Sequence, residues 1–305
     1  MKENPIVSIL ISVHNEEKII EKTLSNLERI RNKEYRNLEV IVGTDSDDKT
    51  EAIVRKRFKW VRIVSSKIRL GKAGMLTKMY KVAKGEILII HDADWILDSQ
   101  GKFKNIIEYF KDPKIGGLNN NRIPSEMNIH PLCLGEGLTY TIVRDYNILK
   151  NSEYRDGRLV EKMNSSFPFM VDIFRSHVIP GKQFTLCDDG ERSVQLRKNG
   201  YVVAIGGDDV PNFKVDYSNI PTVGKLMKHG VRRAVARNQV KSIYGQFNAG
   251  ILSFYLPAFL YGLAKSKSPK IFLSLMIYWM INLVSTIKGK TTSFSTREGW
   301  KIRFR

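Results

Sequence analysis

Apolar and polar positions succeed one another in blocks along the first third of the chain, and each block has the length of one secondary-structure element. Ile6 to Val13 is a β-branched, apolar run that predicts a central strand. His14-Asn15-Glu16-Glu17 makes the following turn, with Asn15 as the expected N-cap and Glu16 and Glu17 at the positive end of a helix dipole. Ile19, Ile20, Leu24, Leu27 and Ile30 then recur at helical spacing. Leu38 to Val42 predicts a second strand that stops at the polar run Gly43 to Thr50, where Asp47 or Asp48 is the expected cap of a helix beginning near Lys49. Val61 to Val64 predicts a short third strand. Arg69 to Gly74 opens a helix expected to end at Lys84-Gly85, with Gly85 as its C′ residue. Ile87 to Ile90 are four consecutive aliphatics, the pattern of a strand buried on both faces. The alternation of strand and helix predicts an α/β fold with a mostly parallel central sheet flanked by helices.

Beyond Asp94 the pattern loosens. Gly116 to Arg158 mixes loops with one helix, Ser165 to Phe174 predicts a late strand, and Val194 and Leu196 among charged neighbours predict a short helix entered at Asp188-Asp189 and ended by Gly200. Tyr201 to Ile205 predicts the next strand. Two long uncharged apolar runs follow, Phe247 to Ala264 and Ile271 to Ile287. The second makes a helix of only about 26 Å against a hydrocarbon core of about 30 Å. A hairpin spanning the bilayer would put Lys265, Lys267 and Lys270 on the far side, against the positive-inside tendency, so the expected arrangement lies in or dips into the cytoplasmic leaflet, ahead of two closely spaced spanning helices and of packing as an ordinary core subdomain.

Charge sharpens this division. The formal net charge is +19, yet Asn219 to Arg305 holds 15 Lys or Arg against the single acid Glu298, so +14 of it belongs to the last 87 residues. Basic residues beside apolar runs suit an anionic membrane surface, and no DNA- or RNA-binding motif accompanies them, so no nucleic acid is expected. Cys133 and Cys187 lie far apart and outside any Cys-x-x-Cys pattern, which indicates neither a disulfide framework nor a zinc site. The first residues lead directly into a strand without the form of a secretory signal, so the catalytic part is expected in the cytoplasm.

The candidate chemistry sits where strands end. Asp92-Ala93-Asp94 follows the most apolar strand, and in extended backbone its two carboxylates point to one side, where a hard cation such as Mg²⁺ or Mn²⁺ would bridge them to a nucleotide diphosphate. The same residues also fit a plain polar loop. Lys72, in a glycine-flanked helix start that lacks the Walker spacing, is a candidate phosphate contact; Gly71 and Gly74 also fit a simple turn. Asp45 is placed to meet a base or ribose. Asp188-Asp189 and the Arg232-Arg233-Arg237 cluster each have a bland counterpart, a helix cap and a solvated basic face.

Taken together, Ser8 to Glu16, the polar stop around Asp45, Gly71 to Gly74, Asp92-Ala93-Asp94 and Asp188-Asp189 before Arg197 to Tyr201 resemble the family 2 glycosyltransferases over roughly residues 5 to 237. The resemblance implies a GT-A catalytic domain at 1–237, with a nucleotide-sugar-binding half at 1–98 and an acceptor-side half at 99–237, followed by a membrane-associated region at 238–305. It implies a nucleotide-sugar donor bound by Val13, Asn15, Glu16, Asp45, Lys72, Asp92 and Asp94. Within that set Asp45 meets the nucleobase, Asp92 the ribose region, and Asp94, beside Asp92, the metal on the diphosphate. Asp189 corresponds to the general base of an inverting transfer, and Asp188, Arg232 and Arg233 to contacts with acceptor or phosphate. Of the family's Gln-x-x-Arg-Trp motif, common in polymer-making members, only Arg232 is present at 229–233. The resemblance therefore points away from a processive polymer synthase and toward a transferase acting on a lipid-linked or glycan acceptor. The alternatives are a polyprenyl-phosphate monosaccharide synthase and, from another class, a nucleotide- or nucleic-acid-binding protein without transfer chemistry.

Overall fold

A computed structural model describes residues 3–127, 129–178, 185–217, 222–245 and 251–292. The chain begins as the apolar blocks predict. Strands β1 (Val7–Val13), β2 (Leu38–Thr44), β3 (Arg62–Ser65) and β4 (Ile87–His91) alternate with helices α1 (Ile20–Lys33), α2 (Thr50–Arg57) and α3 (Gly71–Tyr80). They pair in the order β3-β2-β1-β4, all parallel. Within β1, Ile9 and Ile11 face one hydrophobic layer, with α1 and α2, while Leu10 faces the other, with α3. Both faces are therefore covered, which is why the strands contain uninterrupted aliphatics rather than an alternating pattern.

After β4 come β5 (Trp95–Asp98), α4 (Phe103–Tyr109), β6 (Ile115–Asn119), β7 (Arg122–Pro124), the long α5 (Pro131–Asn151), β8 (Ser152–Arg155), β9 (Arg158–Glu161) and β10 (Ile173–Arg175). The helix α6 (Asp188–Lys198) precedes β11 (Val202–Ile205) and β12 (Asn212–Val215). In the nine-stranded sheet β10 inserts antiparallel between β4 and β6, so the sheet is parallel on its N-terminal side and mixed beyond. A small sheet, β5-β12-β7, begins at the strand that directly follows β4. The last helices among the described residues are α7 (Val223–Tyr244), α8 (Leu256–Ala264), entered through a wide helical turn at Ile251–Tyr255, and α9 (Pro269–Gly289). Residue 237 lies inside α7. With α5 these helices bury a third core that includes Leu132, Tyr146, Leu226, Phe254, Leu275 and Tyr278. Phe247 to Gly250, the start of the first apolar run, lies outside the described residues.

Four local expectations are corrected. Asn15 does not cap α1: that helix starts at Ile20, and Asn15 adopts φ 58° in a left-handed turn. The helix α3 stops at Tyr80, and Gly85 serves close approach instead of a C′ position. Its N–H donates to Ser8 Oγ at 2.8 Å, and a Cβ there would lie 2.5 Å from the Ser8 nitrogen. The strand expected over Ser165 to Phe174 is confined to Ile173–Arg175, because the preceding residues spend their hydrogen bonds on side chains such as Asn147 and Glu161. Finally, Asp92-Ala93-Asp94 is not extended. It forms a turn closed by the Trp95 N–H donating to the Asp92 carbonyl at 3.1 Å, which lets the chain reverse into the second sheet.

Candidate active site

The carboxyl end of β1 is tied to that of β2 by a ladder of polar contacts. Asn15 N–H donates to Ser46 Oγ at 3.0 Å, Glu16 N–H to Thr50 Oγ1 at 2.8 Å and Asp47 N–H to Asn15 Oδ1 at 3.0 Å. Asp48 Oδ1 accepts from Thr50 N–H at 2.9 Å, one position ahead of Lys49, and Lys49, not Asp47 or Asp48, is the N-cap of α2. Asp45 is the hub of this region: one carboxylate oxygen lies 3.0 Å from His14 Nδ1, and the other accepts from the N–H groups of Leu70 and Gly71 at 2.8 and 3.1 Å. Its side chain thereby fixes the start of α3 and the placement of Lys72.

A cavity of about 370 Å³ opens beside these strand ends. It gathers Glu16, Lys72, Asp92, Asp94, Asp188 and Asp189, together with Arg232, Arg233 and Arg237 of α7. Residues drawn from nearly the whole chain thus share one space, while Val13, Asn15 and Asp45 do not line it. The Arg cluster faces the cavity rather than solvent alone.

The buried charges form one alternating chain. Asp189 Oδ2 accepts from Arg122 Nη2 at 2.7 Å, and Arg122 Nε also donates to Asp172 at 3.1 Å. Asp172 accepts from Arg192 at 3.1 Å, and Arg192 reaches Asp188 at 2.9 Å. Lys72 Nζ lies 3.4 Å from Asp188 and 2.8 Å from Asp92. Charges alternate along Asp189, Arg122, Asp172, Arg192, Asp188, Lys72 and Asp92, so each buried ion has an opposite neighbour, which is the condition for keeping it ionised away from water. The Arg122 guanidinium is further clamped between the rings of Trp95 and Tyr140, 4.7 and 4.8 Å from their centroids.

Burial by itself would raise the Asp189 carboxyl, but Arg122 and Arg192 outweigh it and hold it at about 2. Burial likewise opposes the charged form of Lys72; Asp188 and Asp92 overcome that and push its pKa up, so the ammonium persists. His91, fully buried before the Asp92 turn, is lowered by desolvation to about 4 and stays neutral at physiological pH. Between α5 and α7, buried Glu136 accepts from Arg233 at 2.5 Å and sits 2.9 Å from His229 Nδ1. Burial disfavours its charge, yet Arg233 and His229 prevail and lower it to about 2. His229 itself is lowered by burial to about 4, and its other nitrogen lies 2.9 Å from Arg232.

Arg122, Asp172, Arg192, Glu136 and His229 were not singled out from the sequence. Two of them left a trace there. Asp172 is an isolated acid inside Phe167 to Phe174, and Glu136 an isolated acid between Gly135 and Gly137 in an apolar helix start. A charge inside an apolar run must find a partner on folding.

Among the described residues no three His, Cys, Asp or Glu side chains converge as a metal-binding group. The residues present nevertheless fit Mg²⁺ or Mn²⁺ held jointly with a ligand, since such ions are commonly bound by one or two carboxylates, substrate phosphates and water. Asp94 and Asp92 both border the cavity and offer the two carboxylates.

The family model for glycosyl transferase family 2 matches residues 8–134. The poly-beta-1,6-N-acetyl-D-glucosamine synthase of Staphylococcus epidermidis is 31% identical over 127 residues, 40% of this chain and 30% of its own length. A probable glycosyltransferase of Bacillus subtilis is 27% identical over 124 residues, again covering 30% of that protein. The chain therefore aligns with under a third of the length of these curated relatives. Among solved structures, a mannosyltransferase from Pyrobaculum calidifontis in complex with GDP-Man and Mn²⁺ superposes with a TM-score of 0.58 at 18% identity, covering 94% of this chain and 88% of that one. S. aureus TarS 1-349 superposes with a TM-score of 0.50 at 14% identity, covering 93% and 80%. The structural likeness shows the GT-A fold, and within it residues 8–134, which carry the motif-bearing strands of the N-terminal half, match glycosyl transferase family 2.

Proposed function

We propose that the protein transfers a sugar from a nucleotide-sugar donor to an acceptor hydroxyl with inversion. The observation that carries this reading is one cavity bordered by both the Asp92-Asp94 turn and Asp189. In the reaction the acceptor O–H passes its proton to the Asp189 carboxylate while its oxygen bonds to the anomeric carbon. The bond from that carbon to the diphosphate oxygen breaks, and its electron pair leaves with the nucleoside diphosphate. Asp189 is kept ionised for this task by Arg122, and Lys72 offers its charge to the phosphates. A divalent cation held by Asp94 and Asp92 would offset charge developing on the leaving diphosphate. Residues 1–98 supply most of the donor side and 99–237 most of the acceptor side. The acceptor is lipid-linked or a glycan, Asp188, Arg232 and Arg233 contact it or its phosphate, and residues 238–305 associate with the cytoplasmic face of the cell membrane.

A second reading, transfer directly onto a polyprenyl phosphate, is favoured by the three arginines of α7 at the cavity. The two differ in their need for a base, because a phosphate dianion brings no proton to remove. Calorimetry with GDP-Man and UDP-GlcNAc, each with and without Mn²⁺, tests the donor half of the proposal. Metal-dependent binding of a nucleotide sugar that Asp94→Ala abolishes is the expected result; binding of neither, with or without metal, would overturn it.

A further inference from the structure

The helix α9 has two unlike faces. Leu275, Tyr278, Trp279 and Ser285 are buried, and Tyr278, Trp279 and Asn282 border the cavity beside Arg233 and Arg237. On a helix with 3.6 residues per turn, Leu273, Met280, Leu283, Val284 and Ile287 fall on the opposite side, and each is 45% or more exposed. Leu256 and Leu260 of α8 and Leu252 before it extend the exposed apolar surface. Scattered apolar residues on a surface need no explanation, but a continuous stripe does.

By length and composition α9 could cross a bilayer. Its packing argues against a crossing. A Cβ at Gly135 of α5 would lie 2.3 Å from the Ser274 carbonyl oxygen, one at Gly230 of α7 2.6 Å from Ser285 Cβ, and one at Gly289 2.4 Å from Ala234 Cβ. The helix is therefore fastened to the catalytic core near both ends. The flanking helices carry Glu136, Arg144, Arg232, Arg233 and Arg237 toward the cavity, a set of charges that the hydrocarbon interior could not take without large cost.

Charge identifies the occupant of the outer face. Residues 251–290 contain no Asp or Glu, while Lys265, Lys267 and Lys270 stand exposed before or at the start of α9 and Lys288 and Lys290 at its end. An apolar stripe bordered by cations at both ends is complementary to an anionic leaflet with its acyl layer beneath the head groups. At the cavity, Arg232, Arg233 and Arg237 of α7 gather on the other side of the same helix.

We infer that the outer face of α8 and α9 docks in the plane of an anionic lipid bilayer, and that the cavity draws its acceptor from this bilayer as a lipid with an anionic head group entering beside α9. The acceptor half rests on the transferase reading; the docking half does not. Lipid would meet Leu273, Met280 and Leu283, while its head group would meet Arg232 and Arg237. The distance between chemistry and membrane is then one helix diameter, about 10 Å with its side chains.

The test uses the full chain and sedimentation with vesicles of phosphatidylglycerol and phosphatidylcholine, compared with phosphatidylcholine alone. Binding is expected only to the anionic vesicles, weakening with salt, and the double variant Met280→Glu, Leu283→Glu is expected to bind at least roughly tenfold more weakly. Unchanged calorimetric binding of the nucleotide sugar by that variant shows that it is folded. Dodecyl phosphate is the acceptor probe: it should bind the wild-type protein, tighter than inorganic phosphate, and roughly tenfold more weakly after Arg237→Gln. Failure of the wild-type chain to bind anionic vesicles, or undiminished binding by the double variant, would overturn the docking. A concentration-dependent dimer that the double variant dissolves, without vesicle binding, would assign the face to a second copy and overturn it too. Equal affinity for dodecyl and inorganic phosphate would overturn the lipid acceptor, whereas loss of nucleotide-sugar binding alone would strike the transferase reading and leave the docking standing.

Discussion

Replacing Arg122 with Gln removes the cation that holds Asp189 while keeping a side chain able to hydrogen-bond. In the wild-type protein the guanidinium donates to Asp189 Oδ2 at 2.7 Å, and the carboxyl, only 16% exposed, is held at about 2. Two unit charges about 4 Å apart at an effective dielectric of about 20 interact by roughly 4 kcal/mol, a factor of about 10³ in proton affinity. Arg192 and Lys72 still face the carboxylate after the substitution, and Asp172 opposes them, so the full factor is an upper bound. The Asp189 pKa should therefore rise from about 2 toward roughly 5 in the variant. Because a general base must be ionised in the free enzyme, the acidic limb of kcat/KM should move upward with it. The wild-type profile should stay flat down to about pH 4, where the variant should already have lost most of its activity. Stability moves in the same sense. A carboxyl depressed on folding contributes stability that is present above its unfolded pKa near 4 and is lost as pH falls through about 2. Urea titrations between about pH 6 and 3 should show that contribution in the wild type and not in Arg122→Gln. Arg122→Lys should restore the low-pH limb but not the clamp between Trp95 and Tyr140, which depends on a planar guanidinium. An acidic limb that does not move in Arg122→Gln, measured with a competent acceptor, would refute the electrostatic role assigned to this arginine.

Asp189→Asn should leave donor binding near normal and reduce transfer by roughly 10² to 10⁴, the usual contribution of a positioned base, with Asp188→Asn the milder control. If the acceptor nucleophile is a phosphate oxygen, the same variant should lose far less, which separates the two readings in one assay. Asp94→Ala should abolish the Mn²⁺ dependence of donor binding in calorimetry, since it removes one of the two carboxylates that the Asp92-Asp94 turn brings to the cavity. Gly135→Ala would place a Cβ against the Ser274 backbone and should destabilise the protein by roughly 1–3 kcal/mol, read as a lowered urea midpoint. An unchanged midpoint would mean that α9 is not fastened to α5.

Local sequence pattern was enough to locate the parallel, N-terminal part of the fold. A strand covered on both faces is apolar on both sides along its middle, so the runs Ile9 to Ile11, Val40 to Val42 and Ile87 to Ile90 stand out without any knowledge of their neighbours. The polar stops after them mark the strand ends at which α/β sheets bind ligands, and the Asp188-Asp189 entrance to α6 was legible for the same local reason. What tertiary structure decided was pairing. Asp172 and Arg122 are 50 positions apart, Asp189 and Arg122 67, and Glu136 and Arg233 97, and no periodicity links residues across such intervals. The carboxylates expected to project from an extended strand instead lie on a turn, because the chain must reverse there to build the second sheet. Likewise, the apolar run Ile271 to Ile287 announces a helix that needs cover, while which face is covered by protein was settled by glycines on α5 and α7 that let their backbones come close. Hydrophobic pattern records how much of an element leaves water; where its charges find partners depends on contacts made only once the distant segments have met.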